Sequence, residues 1–405
     1  LTQHSDTAQP YLLWLRLSSQ FRVTFFVSKP SRISMRKTVL VTGSTGFIGS
    51  NLLTRMVNDE SLSAKFNPIA FIRNCSDRSS LPAEIPVRVG SLFNQDSLDD
   101  VLKDVDYVIH LAAVMDFYPK DEDRMIRANV EGTANLLDAA NRAHCELFVY
   151  VSTTETIGPS HSDGSPADES SACHPSYVYG SSKIMAEQEI EQFARKHSLP
   201  FYIVRPTGVY GPGDTFTIYE LMWMIEKGLL CFIPGSGAAQ LMYTHVDDVC
   251  EGILCCLRKG SPPLLTQKDS AHRYTYILSS DDSLSYKEWI ELLSQELGRQ
   301  RPFVHLPFPL VKLTIGLIGP LFNLGKSRTF MFQAKTIDRM QENRVYSNKK
   351  ARLELGFTPR YSLREGLRQT VRSNIDMGLL RRPMFSNVAT VLLFCCFLAL
   401  LLYLW

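Results

Sequence analysis

The sequence lacks a strong charge of either sign. Its 405 residues hold 43 lysines and arginines against 41 aspartates and glutamates, which gives a net charge of +2 at pH 7. Binding to the phosphate backbone of nucleic acid draws on an excess of basic residues, so we expect no nucleic-acid partner. No internal repeat or low-complexity tract is visible. The composition is that of a globular chain long enough for two domains.

Cysteine is scattered without a pattern. The nine cysteines form no C-x-x-C pair, and none stands with histidine at the spacing of a metal site. We therefore expect no bound metal ion. An odd and unpatterned set of cysteines also favours reduced thiols in a cytosol-like compartment.

No acidic residue stands between Asp6 and Asp59. A segment with arginine and serine but no acid resembles a mitochondrial presequence. Met35, however, stands directly before the first predicted strand, which favours a dispensable leader or a translated upstream sequence over residues 1–36. Both interpretations stay open.

A long apolar run, VATVLLFCCFLALLLYLW, spans Val388 to Trp405 without a charged residue. Eighteen helical residues rise about 27 Å, which is close to the hydrocarbon thickness of a bilayer. Arg381 and Arg382 precede the run, on the side that the positive-inside preference assigns to the cytosol. We expect a C-terminal membrane anchor with the body in the cytosol, at the endoplasmic reticulum or, as the alternative, at mitochondria. A buried terminal helix is the competing interpretation.

Glycine is concentrated in residues 38–53, TVLVTGSTGFIGSNLL, where Gly43, Gly46 and Gly49 follow the apolar run VLV. This order of strand, glycine turn and helix is typical of a dinucleotide-binding fold, in which the turn lets pyrophosphate approach a helix N-terminus. Further strand candidates, alternating with helical patterns, are AFIR, VRV, DYVIHLAA, LFVYVS and FYIV. The pattern predicts an α/β fold with a Rossmann-type, doubly wound parallel sheet.

The end of the second predicted strand, FIRNCSDR, indicates the cofactor. An acidic residue at this place binds the ribose of NAD, whereas an arginine accommodates the 2'-phosphate of NADP. Arg73 stands at the expected position, and Arg78 follows shortly after. We therefore expect NADP, with NAD as the alternative.

The segment SYVYGSSK places Tyr179 four residues before Lys183, at the start of a predicted helix. Residues four apart share a helix face, and a nearby ammonium group lowers the pKa of a phenol. Such a phenol could act as a general acid or base. A solvated surface pair is the ordinary alternative, and Tyr346 and Lys350 repeat the spacing elsewhere in the chain.

Several motifs resemble the extended short-chain dehydrogenase/reductases, over residues 37–375. They are TGSTGFIG, HLAA, RANVEGT with Asn129, YGSSK, VRPTGVYGPGD, and THVDDV with Asp247 and Asp248 at the start of a helix. One departure is Ser91 in VGSLFN, where the family commonly has aspartate in a G-D-L motif. KKARLELGFTPRYSLREGL resembles the closing segment of the family, so the second Tyr/Lys pair would be a bystander.

The resemblance implies catalytic roles. Tyr179 would pass the proton, and Lys183 would lower the pKa of Tyr179 and bind the nicotinamide ribose. Thr153 would polarise the substrate oxygen, with Ser152 as the neighbouring alternative. Implied cofactor contacts are Gly43, Thr45, Gly46, Phe47, Ile48, Gly49, Arg73, Leu92, Ala112, Ala113, Asn129, Lys183 and Pro206.

The resemblance also implies a division of the chain. Residues 37–212 would form the dinucleotide-binding core, and residues 213–375 a smaller substrate-binding portion. A basic linker, residues 376–387, would lead to the anchor at residues 388–405. Members of the family commonly form homodimers, so a homodimer is a further expectation.

Three classes of function stay open. They are a hydroxysteroid or sterol dehydrogenase, a nucleotide-sugar epimerase or dehydratase, and a dinucleotide-binding protein without turnover. Glu155 does not separate them, because both sugar dehydratases and steroid dehydrogenases of the family carry glutamate there. A second apolar segment, residues 306–325, could be a core helix or an interfacial helix. Two apolar segments favour a lipid-like substrate, with a carbonyl reductase of the flavonoid type as a further alternative.

Overall fold

The computed structural model describes residues 36–230, 232–270, 272–322 and 334–381. Its strands are β1 (Lys37–Thr42), β2 (Phe66–Ile72), β3 (Val87–Val89), β4 (Tyr107–His110), β5 (Leu147–Val151), β6 (Phe201–Pro206), β7 (Gly208–Tyr210), β8 (Ile233–Pro234), β9 (Gln240–Leu241), β10 (Tyr243–His245), β11 (Thr275–Leu278), β12 (Leu284–Ser285) and β13 (His305–Leu306). Its helices are α1 (Phe47–Asn58), α2 (Glu60–Ser63), α3 (Gln95–Val101), α4 (Glu122–Ile126), α5 (Gly132–Arg142), α6 (Val178–Lys196), α7 (Tyr219–Glu226), α8 (Val246–Lys259), α9 (Tyr286–Glu296), α10 (Phe308–Phe322), α11 (Ala334–Arg339), α12 (Lys349–Leu355) and α13 (Leu363–Asp376). A π-helical turn, Arg127–Glu131, joins α4 to α5, and a 3-10 turn, Thr154–Thr156, follows β5.

Seven strands form one parallel sheet in the order β11-β6-β5-β4-β1-β2-β3. The predicted Rossmann-type sheet is confirmed. Residues of β4 and β5 are fully buried, as expected for strands covered by helices on both faces. The chain reverses its direction across the sheet between β1 and β4. Ligands of such sheets bind at the carboxyl ends of the strands beside this reversal.

Helix α8 shows how the THVDDV segment is used. The side chain of His245 caps the helix by accepting the backbone N–H of Asp247, and two acidic residues occupy the first turn, where the helix dipole favours them. Asp248 is buried and accepts the backbone N–H groups of Arg360 (2.9 Å) and Tyr361 (3.2 Å). The motif therefore ties the closing segment of the chain to α8.

Buried apolar residues make two main clusters. One surrounds the parallel sheet, and the other lies around Trp289, where α9 packs against α7 and α13. The described residues from Lys37 onward nevertheless form a single compact unit. The boundary expected near residue 212 stays a prediction.

The apolar segment 306–325 forms β13 and α10 in its described part. Val311 is buried in the second cluster, whereas Leu310 and Leu313 on the same helix are exposed by 44% and 59%. Lys312 pairs with Asp338 at 2.5 Å. Within the described ranges, none of the helices combines the length and apolar character needed to cross a bilayer. The predicted leader over residues 1–36, apart from its last residue, and the anchor over residues 388–405 lie outside the described residues.

Candidate active site

The turn after β1 is built around close backbone contacts. Gly43 has φ +66°, and a Cβ atom on it would stand 2.7 Å from the backbone nitrogen of Ala112. A Cβ atom on Gly49 would stand 2.3 Å from the carbonyl oxygen of Gly43. Helix α1 begins directly after the turn, at Phe47, so its unpaired N–H groups face the carboxyl edge of the sheet. This cradle fits the pyrophosphate of a dinucleotide.

Helix α6 carries the predicted Tyr/Lys pair. Tyr179 and Lys183 are both buried on the same face of the helix. A Cβ atom on Gly180 would stand 2.5 Å from the carbonyl oxygen of Glu155, so glycine lets α6 lie against the 3-10 turn after β5. Arg205 of β6 donates two hydrogen bonds to the buried carboxylate of Glu187, which fixes α6 to the sheet.

The buried ammonium group of Lys183 donates to the carbonyl oxygen of Val151 at 2.7 Å. An ammonium group has three N–H donors, and among the described residues this is the one hydrogen bond that Lys183 makes, although its ammonium group also lies 4.1 Å from the ring centre of Tyr150. This supply of donors fits the ribose hydroxyls of a nicotinamide cofactor.

Two hydroxyl groups follow β5. Thr153 caps the 3-10 turn by accepting the backbone N–H of Glu155 at 3.2 Å, which leaves its own proton free to donate. The hydroxyl of Ser152 is buried and has no hydrogen-bond partner among the described residues. Both residues line the cavity described below, so Ser152 remains a second candidate for the polarising hydroxyl.

A cavity of about 290 Å³ opens between the glycine turn and α6. Ten of the predicted site residues line it together: Gly43, Gly46, Phe47, Ile48, Gly49, Ala113, Thr153, Tyr179, Lys183 and Pro206. Residues from five separate parts of the chain thus meet at the carboxyl edge of the sheet.

The other predicted contacts lie around this cavity. Arg73 is exposed directly after β2, and Thr45 belongs to the glycine turn. The backbone nitrogen of Ala112 donates to Thr42 at 3.1 Å, behind the cradle. Leu92 packs against the core that surrounds the sheet.

Asn129 lies in the π-helical turn before α5 and is buried. Its amide accepts the backbone N–H of Val114 at 2.7 Å, donates to the carbonyl oxygen of the same residue at 2.9 Å, and donates to Ser182 at 2.9 Å. Asn129 therefore joins the loop after β4 to the helix that carries the Tyr/Lys pair.

The electrostatics differ from the expectation for Tyr179. Burial raises the pKa of the Tyr179 phenol above its ordinary value, and the nearby charge of Glu155 adds to this effect. Burial lowers the pKa of Lys183 to about 7, because an ammonium group is disfavoured away from water. The expected lowering of the Tyr179 pKa is therefore wrong for the protein groups alone, since burial and the charge of Glu155 both raise it.

Glu155 has partners that the sequence pattern did not indicate. Arg339 donates to both of its carboxylate oxygens, at 2.8 and 2.6 Å, and Arg344 donates to one of them at 3.2 Å. The guanidinium groups of Arg339 and Arg344 lower the pKa of Glu155 to about 2, although burial acts in the opposite direction. A carboxylate with such a pKa is a poor proton acceptor near neutral pH.

An aromatic wall also escaped the sequence pattern. The rings of Phe117 and Phe216 stack with centroids 6.4 Å apart, and Tyr177 meets Phe117 edge-on at 5.0 Å. Asp214 holds the loop that carries Phe216 by accepting three backbone N–H groups at 2.8 to 2.9 Å. Met115, also on the cavity, is exposed by 44%. Met115 and Phe117 follow β4 directly, and this position is the sequence signal that could have indicated their part of the wall.

A family model agrees with this arrangement. The model of the NAD dependent epimerase/dehydratase family matches residues 39–264, more than half of the chain. The chain belongs to this family. It is an NAD-dependent enzyme of the extended short-chain dehydrogenase/reductase superfamily, which acts on CH–OH groups. The expected family is confirmed.

Members of the family with different names resemble the chain over most of its length. UDP-glucose 4-epimerase from Vibrio cholerae is 26% identical over 343 residues, which cover 84% of this chain and 96% of the epimerase. The 3beta-hydroxysteroid-dehydrogenase/decarboxylase isoform 1 from Arabidopsis thaliana is 24% identical over 371 residues, which cover 87% of this chain and 83% of the relative.

Solved structures share the fold. The crystal structure of gox2253 has a TM-score of 0.68 and 29% identity, and covers 85% of this chain and 100% of its own. UDP-glucuronic acid 4-epimerase from Bacillus cereus in complex with NAD has a TM-score of 0.63 and 20% identity, and covers 84% of this chain and 99% of its own.

Proposed function

We propose that the enzyme transfers hydride between NADP and a hydroxyl or ketone group of an apolar, sterol- or steroid-like substrate at a membrane. One observation carries the proposal. The cavity beside Tyr179 and Thr153 is lined in part by the apolar side chains of Met115, Phe117 and Phe216, and the nearby acid Glu155 is held by two arginines. These apolar side chains offer contact area to an apolar ring system, and the hydroxyl groups of Tyr179 and Thr153 offer a polar point for its oxygen.

The apolar wall supports this substrate class. Met115 and Phe216 are large apolar side chains that stay 44% and 46% exposed at the cavity. Covering such side chains removes apolar surface from water, at roughly 25 cal/mol per Å². Flat fused rings would cover both at once, whereas a hydroxyl-rich sugar would leave its polar groups against them unpaired.

Two relatives named as steroid enzymes point in the same direction. The Arabidopsis relative is named a 3beta-hydroxysteroid-dehydrogenase/decarboxylase, and a protein from Mycolicibacterium neoaurum that is 23% identical over 350 residues is named a 3-beta-hydroxysteroid dehydrogenase. Their names support the class of substrate that the cavity favours.

The mechanism follows from the positions of three side chains. Reduction of a ketone needs hydride at the carbonyl carbon and a proton at the carbonyl oxygen, and the bound cofactor supplies the hydride. Tyr179 gives the proton, since its raised pKa keeps the phenol protonated at neutral pH. The hydroxyl of Thr153 donates a hydrogen bond to the same oxygen, because its proton has no acceptor among the described residues.

Lys183 then stabilises the product of the proton transfer. Lys183 lies one helical turn after Tyr179 in the same helix, and a positive charge beside the phenol favours the phenolate that remains on Tyr179. Its contact with the carbonyl oxygen of Val151 fixes its position. Its other two donors are available to the cofactor ribose.

Arg73 supports NADP as the cofactor within this NAD-dependent family. It is exposed immediately after β2, where the 2'-phosphate of the adenosine ribose would lie. Arg78 is exposed in the following loop. The nearest acidic residue in that loop, Asp77, accepts hydrogen bonds from the backbone and side chain of Ser79 at 2.9 Å each.

A membrane setting would bring an apolar substrate to the cavity. The exposed leucines Leu310 and Leu313 of α10 are suited to an interface, and residues 388–405 hold no charged residue. Sedimentation of the full chain with phospholipid vesicles tests this setting, and a protein that stays in the supernatant contradicts it.

A nucleotide-sugar epimerase or dehydratase is the second candidate, because relatives such as the Vibrio cholerae protein carry such names. In a dehydratase, Glu155 would remove a second proton. Its pairing with Arg339 and Arg344 disfavours this role.

The deciding experiment offers purified protein two pools of substrates with NADPH and, separately, with NADH. One pool holds sterol and steroid ketones, and the other holds UDP- and dTDP-sugars. We expect loss of NADPH absorbance with the ketones only, and faster loss than with NADH. Conversion of a nucleotide sugar with no ketone turnover would overturn the proposal.

A further inference from the structure

We propose that Glu155 is a built-in anion that occupies Arg339 and thereby makes the cavity reject substrates with a diphosphate group. This inference rests on the proposed function for the class of substrate that is accepted. It concerns specificity, so Glu155 and Arg339 are specificity-determining residues and take no part in proton transfer.

Glu155 binds Arg339 in the geometry by which an arginine binds an anionic ligand. Arg339 is the last residue of α11 and lines the cavity. Its two terminal nitrogens face the two carboxylate oxygens of Glu155 at 2.8 and 2.6 Å, the fork that arginine otherwise offers to phosphate. The guanidinium group also lies 5.8 Å from the ring centres of both Phe117 and Tyr177.

The surrounding charges balance. Arg344, which donates to Glu155 at 3.2 Å, is also paired with Glu342 at 2.7 Å. Two guanidinium groups and two carboxylates therefore have a net charge of zero. In the described part of the cavity wall the other cation is Lys183, whose ammonium group donates to a backbone carbonyl beside the catalytic tyrosine.

A diphosphate could bind the fork formed by the two terminal nitrogens of Arg339 only by displacing Glu155. The displaced carboxylate is buried and would keep a single partner, Arg344, at the longer of its contacts. Glu155 stays ionised at neutral pH, since its pKa is about 2. A buried charge that loses its main partner is strongly unfavourable, so Arg339 stays paired with Glu155 and does not bind the diphosphate.

The experiment measures binding of UDP to protein saturated with NADPH, which keeps UDP away from the glycine turn. Glu155→Gln retains the shape of the side chain and removes its charge. We expect this variant to bind UDP at least about tenfold more tightly than wild type, as the gain of a charge-assisted contact implies. Isothermal titration calorimetry provides the dissociation constants.

Two matched variants identify the cause. Glu342→Gln removes a carboxylate from the same cluster but leaves the Glu155–Arg339 pair intact, so it should bind UDP as weakly as wild type. The double variant with Glu155→Gln and Arg339→Gln should lose the gained affinity. Equal gains in Glu342→Gln and Glu155→Gln, or no gain in Glu155→Gln, would overturn the inference.

Wild-type protein decides the matter if Glu155→Gln does not fold. A dissociation constant for UDP weaker than about 1 mM supports the inference, and a tighter one overturns it. The proposed function can fail independently of this inference. If Glu155→Gln gains affinity for UDP but the enzyme turns over no lipid ketone, the inference about specificity stands and the proposed substrate class is refuted. If the enzyme turns over lipid ketones but Glu155→Gln gains no affinity for UDP, the substrate class stands and the inference is refuted.

Discussion

The chain contains two Tyr-x-x-x-Lys segments, and the structure places their side chains in different surroundings. Tyr179 and Lys183 lie in one helix and line one cavity. Tyr346 precedes α12, so it does not share a helix face with Lys350. Its hydroxyl donates to the backbone carbonyl of Gly158, and the ammonium group of Lys350 donates to three carbonyl oxygens at 2.7 to 2.9 Å.

The difference shows which property makes such a pair reactive. Spacing alone brings the two groups together only when both residues are helical. Reactivity also needs unused donors that face a cavity. Lys183 spends one N–H donor on the protein, whereas all three donors of Lys350 are used.

The largest contrast is expected between the two tyrosines. Tyr179→Phe should lower kcat about 100-fold to 10,000-fold, since it removes the proton donor, while NADPH affinity changes by only a few-fold. Tyr346→Phe should leave kcat unchanged and lower the free energy of unfolding by about 1 kcal/mol, since Gly158 loses a buried donor. Steady-state kinetics and urea unfolding measure both effects. Equal activity of the two variants would remove Tyr179 from the mechanism.

The lysines should show a smaller contrast of the same kind. Lys183→Met should lower kcat and weaken NADPH binding together, because both the phenolate and the ribose lose a partner. Lys350→Met should destabilise the protein by about 1–3 kcal/mol with kcat unchanged, because three carbonyl oxygens lose the ammonium donor. Kinetics and cofactor titration separate the two. A Lys183→Met variant with normal kcat would contradict the role assigned to this lysine.

The smallest expected effect is a pH dependence carried by Lys183. Its pKa is lowered to about 7, so the ammonium form predominates below that pH and is lost as the pH rises. The kcat/KM for NADPH reports the free enzyme and should fall as the pH passes through about 7. Lys183→Arg, which stays charged, should be less active but flat between about pH 6 and 9. Identical profiles for both proteins would assign the titration to another group.

The sheet could be predicted from the sequence because each of its signals is local. Runs such as VLV and LFVYV are apolar throughout, and glycine at positions 43 and 49 marks a turn that admits no Cβ atom. Ten of the predicted site residues meet at one cavity, because their motifs follow strands whose carboxyl ends share one edge. The pKa of Tyr179 could not be predicted from spacing, because it depends on burial.

The sequence alone therefore determined the family, the glycine cradle and the Tyr/Lys pair, since short motifs specify the backbone turn and the helix face that carry them. Only the tertiary structure decided the environment of Glu155. Its partner Arg339 is 184 residues away, and no local pattern links the two. Whether a carboxylate is a base or a paired anion depends on which distant charges folding brings within hydrogen-bond distance.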